Sequence, residues 1–131
     1  MQPCDEIKNL IMQLYASETS GGLVNLARQL YSSQEGVILI GSDPQDRYED
    51  YQSIIHFYAV ASAAVLDIKL AEINAYCENA VGWVVDRVIA KLPNGIEVPV
   101  RHTYIFHQEN DAWKIVHAHI SVGIADNEIG K

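Results

Sequence analysis

The chain has 131 residues, 49% of them hydrophobic and 20% charged, with a formal net charge of −8 at pH 7. This length fits one domain over residues 1–131 with a core of its own, and the composition excludes a disordered chain. The acidic balance argues against a nucleic-acid or anionic-membrane surface, since either needs clustered Lys and Arg. At Met1-Gln2-Pro3-Cys4-Asp5-Glu6 no basic segment leads into an apolar stretch, so no signal peptide is expected. The longest apolar run, residues 57–66, is interrupted by Ser62 and is too short to cross a bilayer. Cys4 and Cys77 show neither metal-ligand spacing nor a disulfide framework, which suggests a reduced, cytoplasmic protein.

Pro3 suits the first turn of a helix, and Asp5 and Glu6 complement the helix dipole. Ile7, Leu10, Ile11, Leu14 and Tyr15 then recur at helical spacing, forming one apolar stripe. Ser17-Glu18-Thr19-Ser20-Gly21-Gly22 breaks the pattern, and Leu23, Leu26, Ala27, Leu30 and Tyr31 restart it. Val37-Ile38-Leu39-Ile40, between Gly36 and Gly41, predicts a short buried strand. Asp43-Pro44 marks a turn or helix start, and a third helix is expected over residues 47–64, with Tyr51, Ile54, Ile55, Tyr58 and Ala61 inward.

From Leu66 the period changes to that of strands, expected over residues 66–76, 81–92, 98–107 and 113–123. Pro93-Asn94-Gly95 is a hairpin signal, because Asn-Gly accepts the positive φ of tight turns, and Glu109-Asn110-Asp111 is a second polar turn. The order is helix, helix, strand, helix, then a meander of long strands. It predicts an α+β fold with helices packed on one face of the sheet.

Alternation along a regular last strand puts Trp113, Ile115, His117, His119 and Ser121 on one face. Its hairpin partner has Arg101, Thr103, Ile105 and His107 in one phase and Val98, Val100, His102, Tyr104 and Phe106 in the other. Neither face looks solvent-like, so a second copy of the sheet is expected as cover, giving a homodimer or a larger homo-oligomer. His119 and Ser121 on the helix-facing side need partners, which are either neighbouring core groups or a bound molecule.

Arg101-His102-Thr103-Tyr104-Ile105-Phe106, followed by Trp113-Lys114-Ile115-Val116-His117-Ala118-His119-Ile120-Ser121, resembles the C-terminal signature of SnoaL-like domains. These belong to the superfamily of nuclear transport factor two and ketosteroid isomerase. Val37 to Pro44 resembles that family's first strand and turn, and Gly82-Trp83-Val84-Val85 its central strand. The resemblance implies a cystatin-like cone, in which N-terminal helices are wrapped by a strongly curved, mostly antiparallel sheet around a cavity. The His-x-His-x-Ser ending is also similar to the association domain of calcium/calmodulin-dependent protein kinases, which assembles into rings and keeps arginines in its pocket.

Three functional expectations follow. In the first, the cavity binds a small molecule such as an organic anion. Arg101 would anchor a carboxylate, His119, His117 and Ser121 would supply hydrogen bonds, and Trp83, Tyr58, Tyr104 or Trp113 would form walls. Alternatively, Arg101 pairs with an internal acid such as Asp86 or Glu72, or emerges into solvent. In the second, an isomerase, cyclase or dehydratase without a cofactor abstracts a proton next to a carbonyl. His119 or Asp86 would be the base and Tyr48 or Tyr58, both on the third helix, the oxyanion donor. In the third, the domain is a non-catalytic oligomerisation module. His117 and His119 are spaced for a metal, but no acidic or Cys residue nearby in sequence completes a site, so none is expected.

Overall fold

The computed structural model describes residues 1–17, 20–65 and 67–131. Glu18 and Thr19 of the expected break, and Leu66 at the head of the first long strand, lie outside the described residues. Helix α1, Asp5–Tyr15, buries Ile7, Ile11 and Leu14 of the expected stripe. Pro3 is not in that helix. Gln2–Pro3 form an edge strand, β1, where a missing N–H costs no ladder bond, and Cys4 takes the N-cap. Helix α2, Ser20–Leu30, starts earlier than its apolar stripe and takes in Gly21 and Gly22.

Strand β2, Ile38–Ile40, buries Leu39 and is followed by a turn in which Asp43 Oδ1 accepts from Gln45 N at 2.8 Å. Residues 47–50 are not helical. Arg47–Tyr48 form a short strand, β3, paired with β2, and Asp50 caps helix α3, Tyr51–Ala64, by accepting from Ser53 N at 2.8 Å. A side-chain carboxylate at the N-cap satisfies an otherwise orphaned N–H, which fixes the start at Tyr51. Tyr48 therefore precedes the third helix instead of riding on it.

Four long strands follow: β4, Asp67–Glu78; β5, Val81–Lys91; β6, Glu97–Glu109; and β7, Ala112–Ser121. At the Asn94-Gly95 hairpin, Gly95 alone has positive φ, +86°, while Asn94 Oδ1 accepts from Ile96 N at 3.0 Å. Asn110 and Asp111 both adopt positive φ (52° and 65°), the geometry of a tight two-residue hairpin between Glu109 and Ala112. The sheet order is β1-β4-β5-β6-β7-β2-β3, antiparallel throughout except where β2 runs parallel to β7. Three helices on a large, mostly antiparallel sheet confirm the α+β expectation.

Two β-bulges interrupt the ladder. On β4, register passes from Leu70↔Val88 to Glu72↔Arg87 with Ala71 unpaired. On β7, Ile105↔His117 is followed by Phe106↔Ile115 with Val116 unpaired. A bulge bends its strand and increases its twist, so both serve curvature. The second also corrects the expected facing of β7. Trp113 and Ile115 do pack into the core, but beyond Val116 the inward residues are Ala118 and Ile120. His117, His119 and Ser121 pair across from Ile105, Thr103 and Arg101, on the outer face.

Candidate functional site

The helix-facing side of the sheet carries a polar cluster in an otherwise apolar core. Asp86 on β5 and His102 on β6 are in register, and His102 Nδ1 lies 2.7 Å from Asp86 Oδ1. Tyr15, the last residue of α1, donates its hydroxyl to Asp86 Oδ2. The Tyr15 hydroxyl also stands 2.8 Å from that of Tyr104 and 3.1 Å from His102 Nδ1. With its own proton on Asp86, the Tyr15 oxygen accepts from Tyr104. The Asp86 side chain is fully buried, so each carboxylate oxygen needs the donor that it has.

This arrangement fixes the imidazole. With Nδ1 turned to the Asp86 carboxylate, Nε2 is the ring nitrogen left without a partner among the described residues, and the ring is pinned between Tyr104, stacked at 5.5 Å, and Tyr15. Burial, and next the charge of Asp86, push the Tyr15 hydroxyl well above its ordinary pKa of 10.0. Burial does the same for Tyr104 and for Tyr31, and it lifts Tyr58 to about 12. Tyr31 and Tyr58 share a 2.7 Å hydrogen bond deeper in the core. All four phenols are therefore kept as neutral donors.

A cavity of about 650 Å³ opens beside the cluster, between α1, α3 and the far ends of β4, β6 and β7. Tyr15 and Tyr58 are its phenolic lining residues, with Leu23, Phe57, Ile68, Val100 and Ile120 among its apolar ones. Val100 and Ile120, the neighbours of His102 along and across the sheet, line the cavity, so the imidazole lies behind that lining and Tyr15 is the member of the cluster that reaches it. Ser17, Ser42, Ser62 and Asp67 contribute polar atoms elsewhere in the lining. Among the described residues Asp67 is the one charged lining residue, and no Lys or Arg reaches the cavity.

The site residues expected from sequence divide between the two faces of the sheet. Asp86 and Tyr58 lie inside the cone. Tyr48 packs against Phe57 at 5.3 Å and donates to Asp46 at 2.9 Å, a bond that raises its pKa. Arg101, His119 and Ser121 come together as expected, but in a recess on the outer face. Arg101 pairs with neither Asp86 nor Glu72; its Nε donates to Ser121 Oγ at 3.2 Å. His117 Nδ1 meets the Ile38 carbonyl at 3.0 Å, and Trp83 stacks on Tyr76, also outside.

Sequence reasoning missed Tyr15 and His102. Tyr15 was counted as the last apolar position of a stripe, and His102 as one residue of a strand face. A signal for the second existed: Asp86 and His102 are equidistant from Asn94, so the hairpin alone predicts that they face each other.

A family model described as a SnoaL-like domain matches residues 7–125. No curated protein matches the chain. Similar solved structures include a nuclear transport factor 2-like protein of unknown function from Pseudomonas putida, with a TM-score of 0.78 at 10% identity, covering 93% of this chain and 87% of that one. A nuclear transport factor 2-like superfamily protein from Salmonella enterica gives 0.75 at 20% identity, covering 97% and 94%. A candidate ketosteroid isomerase from Parabacteroides distasonis gives 0.71 at 15% identity, covering 89% and 85%.

Proposed function

Since the chain belongs to the SnoaL-like domain family, matched over residues 7–125, we propose that its cone binds a neutral, largely apolar small molecule and moves a proton on it. One observation carries this reading: the hydrogen-bonded Tyr15–Asp86–His102 cluster beside a cavity of about 650 Å³. That volume lies in the range of small-molecule sites, and an apolar wall with a few convergent polar groups is their usual chemistry. The lack of Lys and Arg in the described lining favours a neutral ligand over the organic anion expected from sequence. A carbonyl or hydroxyl at the inner end would accept from Tyr58, since the Tyr15 proton is already on Asp86, and His102, held by Asp86, would take a proton from the adjacent carbon. Such a step needs no cofactor.

The test is thermal unfolding against neutral cyclic ketones and enones, followed by solvent-deuterium exchange at the α-carbon of any binder. A ligand at ~100 times its dissociation constant stabilises by about 2.7 kcal/mol, a shift of several degrees at this size. Exchange that is lost in His102→Gln while binding persists supports proton transfer. Binding without exchange in the wild-type protein limits the function to binding, and no binding overturns the reading.

A second reading rests on the outer sheet face, where Tyr76 and Val81 are exposed beside the stacked Trp83. We propose that a second copy covers this aromatic row, as a two-fold partner would. Sedimentation equilibrium should give a dimer that Trp83→Glu dissociates; a monomer at every concentration overturns it.

A further inference from the structure

The outer-face recess, about 420 Å³, is built from two adjacent rungs of the sheet. One rung runs Glu72–Arg87–Arg101–Ser121 across β4, β5, β6 and β7, and the next runs Asn74–Val85–Thr103–His119. Arg87 and Arg101 thus sit directly opposite each other on neighbouring strands. Like charges so placed repel, and a sheet normally avoids the pairing. Glu72 answers only one of them, lying 3.4 Å from Arg87.

Arg101 has no carboxylate partner among the described residues. Its Nε is engaged by Ser121 Oγ at 3.2 Å, which aims the guanidinium and leaves the two terminal nitrogens as a planar fork. That fork lies over Gly123, where a built Cβ would come within 3.7 Å of the guanidinium carbon. Thr103 and His119 supply further polar groups on the next rung, and Val85, 46% exposed, is an uncovered apolar surface beside Thr103. An unanswered bidentate cation beside an apolar floor is complementary to a carboxylate on a small apolar body.

We propose that this recess is a second binding site, separate from the cone, in which Arg101, positioned by Ser121 and backed by Arg87, holds an organic carboxylate whose apolar body rests on Val85. The anion would sit between the two arginines and offset the repulsion that Glu72 leaves. Its Val85 rung adjoins the Trp83 row, about 7 Å away at the usual rise per residue, and its Arg87–Arg101 rung lies about 13 Å away.

Benzoate and inorganic phosphate are the probes, each titrated into the ¹⁵N-labelled protein and followed by amide shifts. Benzoate is expected to move Val85, Arg101, Thr103 and His119 saturably, with affinity at least tenfold weaker in Arg101→Gln and unchanged in Arg47→Gln. Ser121→Ala should weaken it less, because it frees the fork without removing it. Benzoate shifts that are absent, do not saturate, or survive Arg101→Gln overturn the proposal. Phosphate binding as tightly as benzoate overturns the carboxylate assignment, since Val85 would then contribute nothing. The readout is independent of the cone, so its outcome and that of the neutral-ligand panel separate the two sites.

Discussion

The two faces of β6 treat their polar residues differently. Inward, His102, Tyr104 and Phe106 meet a nearly closed set of partners, in which His102 Nδ1 and the Tyr104 hydroxyl are answered by Asp86 and Tyr15 and the imidazole Nε2 is left over. Outward, Arg101, Thr103 and Ile105 share a partly open surface, where Arg101 holds one serine and faces another arginine. The inner polar groups were removed from water and had to find one another, because an unanswered buried group costs about 1–3 kcal/mol or more. The outer ones remain hydrated and can wait for a ligand. The inner face thus leaves a ligand a single imidazole nitrogen, whereas the outer face leaves it a guanidinium fork.

The contrast predicts a graded series of effects. The largest is alkaline. Tyr15, Tyr31, Tyr58 and Tyr104 have raised pKa values in the fold, so the folded state holds their protons more tightly than the unfolded chain does. Their contribution is whole below pH 10, where an exposed tyrosine ionises, and falls as pH climbs towards the folded values, about 12 for Tyr58. Tyrosinate absorbance should therefore rise for these four only together with unfolding. Independent titration near pH 10 would mean that the inner face is open to water.

Next, Trp113→Ala should cost about 3–5 kcal/mol, the usual loss for a truncated core aromatic, read from urea unfolding. Asp86→Asn keeps the shape of the cluster but sets an amide donor against donors, and should cost about 1–3 kcal/mol. A neutral result would show that the carboxylate is not needed to close the network. The smallest effect belongs outside: Arg87→Gln breaks an exposed ion pair and relieves a like-charge contact, so it should change stability by less than ~1 kcal/mol. A larger loss would break the distinction between the faces.

The helices and hairpins were legible because their causes are local. The stripe of Ile7, Ile11 and Leu14 and the turn at Asn94-Gly95 carry their own signals. The start of α3 was misread because helical spacing carries back through residues 47–50, while Asp50 as an N-cap decides the boundary. The candidate site was half legible. Asp86 and Tyr58 were named and lie in the cone, but Tyr15 and His102 acquire meaning only through contacts across 71 and 16 positions of sequence. The facing of His119 was illegible because Val116 is an ordinary strand residue, and nothing in its identity announces a bulge.

That one residue acts on β7 as an inserted base acts on a reading frame. Everything after it keeps its spelling and changes its meaning: His117, His119 and Ser121 pass from the cone's vocabulary to that of the outer surface. Removing Val116 would not bring the histidines in, because the ladder would simply close up with Ile115 and Ala118 still inward. It would instead remove the bend, flatten that wall of the cone, and change the cavity's shape without altering any side chain that lines it. Length at this position is therefore a variable by which a chain of this kind can retune what it holds.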